Sequence, residues 1–133
     1  MSITCNDVYK LAMALLGEDA DAADTADMAS RAPALITIAI SSLWDLDRAY
    51  RIVNFNTDSG DTPPLISSLA AAFPLSDRFS SLCAYYTAAK LTGDENPSYA
   101  DKLIGFYTNG AVAAANDISA ITGSISDFYG GIG

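Results

Sequence analysis

Histidine is absent from the 133 residues of this chain. That removes the commonest general base and the commonest zinc ligand, and with them every Ser–His or Cys–His dyad. Positive charge is scarce too: 7 Lys and Arg against 16 Asp and Glu leave a net charge of −9. So few scattered cations cannot neutralise a tract of phosphates, which disfavours a basic nucleic-acid reader. Cysteine is limited to Cys5 and Cys83, without CxxC spacing. Cys83 falls on an apolar helix face, so the pair reads as buried or semi-buried thiols of an intracellular protein in preference to a bridge. Long apolar runs are missing: the most apolar stretch, 34–44, is interrupted by Thr37, Ser41 and Ser42. It falls far short of the ~20 residues of a membrane-spanning helix. Residues 1–10 show no basic segment leading into an apolar run, so neither a signal peptide nor a membrane is expected.

What is present is core material. Half of the residues are apolar, 23 are alanine and 13 are aromatic, too many for a chain that stays disordered. A domain of this size buries roughly 65–70% of its unfolded surface and stands without disulfides or metals.

The spacing predicts an all-α fold, a compact bundle of about four helices. In the first, Thr4 or Asn6 is the cap and Gly17 the stop, with Val8, Leu11, Ala12, Leu15 and Leu16 on one face. Residues 18–32 read as an acidic loop passing into helix, with Asp24 or Asp27 as cap. The second helix is predicted from a first turn containing Pro33 to about Tyr50. Its apolar residues, among them Ile38 and Trp44, cover more than one stripe, so it is packed on most sides, either centrally or with one flank on another subunit. Asn56 to Pro64 has loop composition, and an irregular or extended segment joins helices two and three. Ser76 and Asp77 open the third helix, whose stripe is Phe79, Leu82, Cys83, Tyr86 and Ala89. After the turn at 92–97, Asn96 caps and Pro97 opens the fourth, which carries Tyr99, Leu103, Phe106, Tyr107 and Gly110 and runs to roughly Ala115. Helices three and four are therefore antiparallel neighbours. The expected organisation is a helical domain over 1–116 and a C-terminal tail over 117–133, extended and docking on its own domain or on a neighbour. The tail holds Ile118, Ile121, Ile125, Phe128, Tyr129 and Ile132.

No constellation of catalytic groups emerges. The acidic run Glu18, Asp19, Asp21, Asp24 and Asp27 lacks the calcium-loop pattern and its turn glycine, and reads as a solvated face. Asp47 with Arg51 and Asp45 with Arg48 have helix ion-pair spacing. No G-x-S-x-G elbow and no P-loop occur. Aromatics at helical spacing without a basic groove are core or interface residues. Neither an enzyme nor a cofactor or metal site is expected.

The order of segments is TCNDVYKLAMALLGED, then APALITIAISSLWDLDRAYR, then TPPLISSLAAAFPLSD, then the hairpin RFSSLCAYYTAAKLTGDENPSYADKLIGFYTNGAV and a closing SISDFYGG. This order resembles the small head–tail connector (adaptor) proteins of tailed bacteriophages and prophages of Gram-positive bacteria. The most telling piece is Leu82–Tyr107, whose AYYTAAKLTGDENPSYADKLIGFY is similar to the YY-AAKL-DEN hairpin of that family. The resemblance covers nearly the whole chain.

It implies a non-enzymatic virion protein that assembles as a ring, commonly twelvefold, between portal and tail or neck proteins. The ring extends a channel through which DNA passes without sequence-specific binding. The implied location is the host cytoplasm during assembly and then the head–tail junction. Candidate partner-interface residues are Ile125, Phe128, Tyr129 and Ile132 of the tail with Ile38 and Trp44 of the second helix. Twelve copies would carry roughly −108 in all, a wall that repels phosphates and lets the duplex slide. The alternative is a small bacterial helical module that binds a protein partner.

Overall fold

A computed structural model describes the backbone of residues 2–128, with side chains as far as Ile118. Its helices are α1 (Cys5–Leu15), α2 (Ala26–Phe55), α3 (Ser80–Thr92) and α4 (Pro97–Phe128), with short 3-10 turns at Ala23–Thr25 and Asp77–Phe79. The expected all-α bundle of four helices is present, and an irregular connector, residues 56–76, joins α2 to α3.

Thr4 caps α1 through a reciprocal pair: the Asp7 N–H donates to Thr4 Oγ1 (3.2 Å), and the Thr4 N–H donates to Asp7 Oδ2 (2.9 Å). At the other end Gly17 takes a positive φ of 70°, and the Glu18 N–H returns to the Met13 carbonyl at 2.9 Å. The buried stripe is rotated from the expected one. Cys5, Val8, Tyr9, Ala12 and Met13 face inward, while Leu11 is 47% exposed. Extended backbone from the connector pairs with the start of α1: Phe73 N–H to Ile3 O, Cys5 N–H to Ala71 O and Asn6 N–H to Leu69 O, at 2.8–2.9 Å. With that end tied down, the larger Tyr9 ring takes the core position.

Helix α2 begins before Pro33, which lies inside it, and continues past Tyr50 to Phe55. Neither Asp24 nor Asp27 caps it. The Thr25 hydroxyl instead donates to Ala22 O (2.8 Å) and Asp19 O (3.1 Å), closing the preceding turn. Pro33 removes one backbone rung, yet Ala32 and Ile36 on either side are fully buried, and their packing carries the helix through. Asn56 ends it in the left-handed region, with φ 53°.

The connector runs down one flank of α2 and returns. The Trp44 Nε1–H donates to Gly60 O (2.8 Å), the Ile66 N–H donates to Thr37 Oγ1 (2.9 Å), and the returning segment meets Asp47 and Arg51 at Ser76 and Pro74. Asp47 is 0% exposed. Its two oxygens accept from the Arg51 Nε–H (2.9 Å) and the Ser76 N–H (2.8 Å). Ser76 therefore does not cap the next helix through its side chain; its N–H is the group that counts.

Arg31 near the start of α2 reaches the Lys90 carbonyl near the end of α3, while Tyr50 meets Phe79 just before α3 begins. These helices are antiparallel, and the short turn makes α4 antiparallel to α3. Asn96 Oδ1 accepts from the Tyr99 N–H (3.2 Å), as its capping role requires. Gly110 lets α4 approach closely: a Cβ there would collide with the Leu82 side chain. The α4 backbone is helical well beyond Ala115, so residues 117–128 of the expected tail segment are helix. Residues of all four helices and the connector form a single hydrophobic cluster.

Candidate interaction surface

Among the described residues the polar side chains pair mainly with one another and with the backbone of the fold. Arg48 makes a two-pronged contact with Asp58 (2.6 and 3.0 Å), not with Asp45 as its spacing predicts, because the connector brings Asp58 alongside. Asp47–Arg51 forms as expected, and Arg31–Asp27 and Arg78–Asp117 engage the two other arginines. The Arg48 guanidinium and the Gly60 N–H hold the Asp58 carboxyl at about 2, well below its usual 3.8. In the acidic run, Asp19 Oδ1 accepts the Asp21 N–H (2.9 Å). Among the described residues no group of three or more His, Cys, Asp or Glu side chains could hold a metal ion, and no helix is long and apolar enough to cross a membrane. Cys5 and Cys83 are both buried free thiols. Burial pushes both up, and the nearby Cys5 and Asp47 add to the shift at Cys83. Tyr9 is buried with its hydroxyl facing Thr25 outside hydrogen-bond geometry, and the Thr87 hydroxyl has no partner among the described residues.

What distinguishes the surface is apolar. Adjacent aromatics on α3 and α4 make two ring contacts across the hairpin, Tyr86–Tyr107 at 5.5 Å and Tyr85–Phe106 at 5.6 Å. Successive helix residues diverge by about 100°, so the two pairs lie on different flanks of the hairpin. The Tyr107 hydroxyl faces Ser42 of α2, and burial raises its pKa. The Tyr85 flank is open. A groove of about 270 Å³ runs between α1 and α3, lined by Leu11, Ala14, Leu15, Ser81, Ala84 and Tyr85. Phe106, 52% exposed, borders it through Tyr85. None of these residues is charged.

Of the residues expected at an interface, Ile38 is 48% exposed on the outer side of α2. Trp44 is 6% exposed and belongs to its own core, because the connector covers it and accepts its indole N–H. Ile125 and Phe128 fall on the helical backbone of α4 with their side chains outside the described residues, and Tyr129 and Ile132 lie outside them entirely. Ile38 and Trp44, the two of these six whose side chains are described, do not share a surface. The fold joins Leu11, Tyr85 and Phe106 instead. The helical spacing predicts Leu11 in the core, and the structure exposes it. The aromatic doublets Tyr85-Tyr86 and Phe106-Tyr107 carried the missed signal, since one helix stripe cannot bury both members of a doublet. The fold thus defines a class, an all-α bundle that leaves an apolar flank open among its described residues. In comparisons with known proteins, no family model, no curated protein and no solved structure matches the chain.

Proposed function

We propose that this protein is a non-enzymatic structural adaptor of a tailed phage or prophage, a head–tail connector that joins portal to tail and lengthens the DNA channel. The observation that carries the reading is the uncharged flank of Leu11, Tyr85 and Phe106, whose two aromatics belong to the hairpin that carries the family resemblance, with Leu11 facing them from α1. Exposed contiguous apolar surface marks a site of protein association. A heterologous contact through such a flank closes into a ring when the rotation allows it. The net charge of −9 suits a wall that DNA must pass without sticking. All four arginines are already engaged by the chain's own carboxylates.

The test is twofold. A portal, a large terminase subunit and a major capsid protein encoded beside this gene are the expected neighbours; a metabolic operon would sink the reading. Co-expression with that portal, viewed by negative-stain microscopy, should add a layer of density beneath the portal ring. A chain that binds another protein and leaves the portal bare belongs instead to the alternative, a helical binding module.

A further inference from the structure

We propose that the C-terminal stretch of α4 from one copy lies along the Leu11–Tyr85–Phe106 flank of the next, joining copies head to tail. The inference rests on the connector reading and names the surface through which copies meet.

The spacing comes first. Tyr107, Ala111, Ala114 and Ile118 follow one another at intervals alternating between four and three, and the sequence continues that alternation through Ile121, Ile125 and Phe128. This is the seam spacing of packed helices. Within the chain the seam is already in use as far as the described side chains go: Tyr107 lies against Tyr86, and Ala114 and Ile118 are buried.

Geometry then excludes the chain's own flank. Helix α3 has 13 residues, a length of about 20 Å, and Arg78, just before it, already stands beside Asp117. The backbone of 119–128 therefore continues past the start of α3. At the α-helical rise, Phe128 lies roughly 33 Å along the axis from Phe106. A continuous helix leads away from its own groove, so a second copy is the molecule that can present this stretch to it.

Charge and propensity agree. Residues 118–133 carry a single charged side chain, Asp127, and the groove lining carries none. In a chain of net charge −9 these are surfaces that meet without burying unpaired charge. Thr122, Gly123, Ser124 and Ser126 are poor helix formers, so helix over this stretch depends on packing for its stability.

Sedimentation velocity over a concentration series up to the millimolar range tests the contact. The wild-type chain is expected to associate. Leu11→Glu in the groove and Ile125→Glu in the stretch should each return it to monomer, weakening association by more than about tenfold, with unchanged circular dichroism. Should Leu11→Glu misfold, Phe106→Glu replaces it. An equal mixture of the groove and stretch variants should form dimers and nothing larger, because one intact groove and one intact stretch remain per pair. A wild-type chain that stays monomeric overturns the inference. So does a groove variant that associates normally, or a mixture that stays monomeric. Failure of the connector reading shows separately, as persisting self-association without portal binding.

Discussion

The two flanks of the α3–α4 hairpin carry nearly the same aromatic contact and meet different fates. Tyr86–Tyr107 and Tyr85–Phe106 differ by 0.1 Å in separation, at 5.5 and 5.6 Å, and by little in tilt, at 56° and 51°. One pair is half-buried, with α2 across from it and Ser42 facing the Tyr107 hydroxyl. In the other, Tyr85 is half-buried too, but Phe106 is 52% exposed and the pair borders a groove that α1 leaves unfilled, with Leu11 on its far wall. Composition does not separate the flanks; the path of α2 does. That path is set by the buried face of α2 in the core and by its polar contacts with the connector, so the closed flank also depends on groups remote from it.

The largest expected effect therefore comes from a residue remote from both aromatic pairs. Asp47→Ala would leave the Ser76 N–H and the Arg51 guanidinium without their shared acceptor. Breaking a buried pair costs about 3–5 kcal/mol. Arg51 is 29% exposed and can turn to water, so a loss near the lower end, about 3 kcal/mol, is expected. Urea unfolding reads this as a lower midpoint. A loss below about 1 kcal/mol would show that the connector is not what holds α2 over the closed flank.

The aromatic pairs themselves give the next contrast. Tyr107→Ala empties a packed position and should cost about 2–4 kcal/mol. Phe106→Ala, on the open flank, should cost less than about 1 kcal/mol while weakening self-association. Equal losses in the two variants would mean that the flanks are equivalent and that the open one is merely a loosely packed part of the core.

Much of this bundle was legible in the sequence, and the reasons divide along the same line. The cap at Thr4 with Asp7, the stop at Gly17 and the Asn96–Pro97 start of α4 are local signals, each satisfied by groups within a few residues. The course of the connector is not local. It follows from Thr37 meeting Ile66, Trp44 meeting Gly60 and Asp47 meeting Ser76, single contacts between distant residues that leave no periodic trace. Pro33 misled for a related reason: a proline marks a helix start by local rules, and here tertiary packing overrides them. The open flank was half-visible, because the doublets require one aromatic of each pair to leave the main stripe. Which one leaves was decided by α2.

The smallest expected effect sharpens the account of the connector. Asp58 is exposed and held at about 2 by Arg48 and the Gly60 N–H. A carboxylate whose folded pKa is lowered contributes stability that is fully present above its unfolded value, near 3.8, and that is lost as pH falls through about 2. Solvent screens an exposed pair, so the contribution is small. Acid titration of the wild-type chain should show a shallow loss of stability through this window, and Asp58→Asn should remove that portion of the slope while leaving stability at pH 7 nearly unchanged. The Asp58 carbon resonance, followed by NMR, should titrate near 2 in the wild-type chain and move toward 3.8 in Arg48→Gln. If it titrates near 3.8 in both, the Arg48 contact does not anchor the outgoing segment of the connector. The course of the connector along α2 would then depend on the contacts at Thr37, Trp44, Asp47 and Arg51.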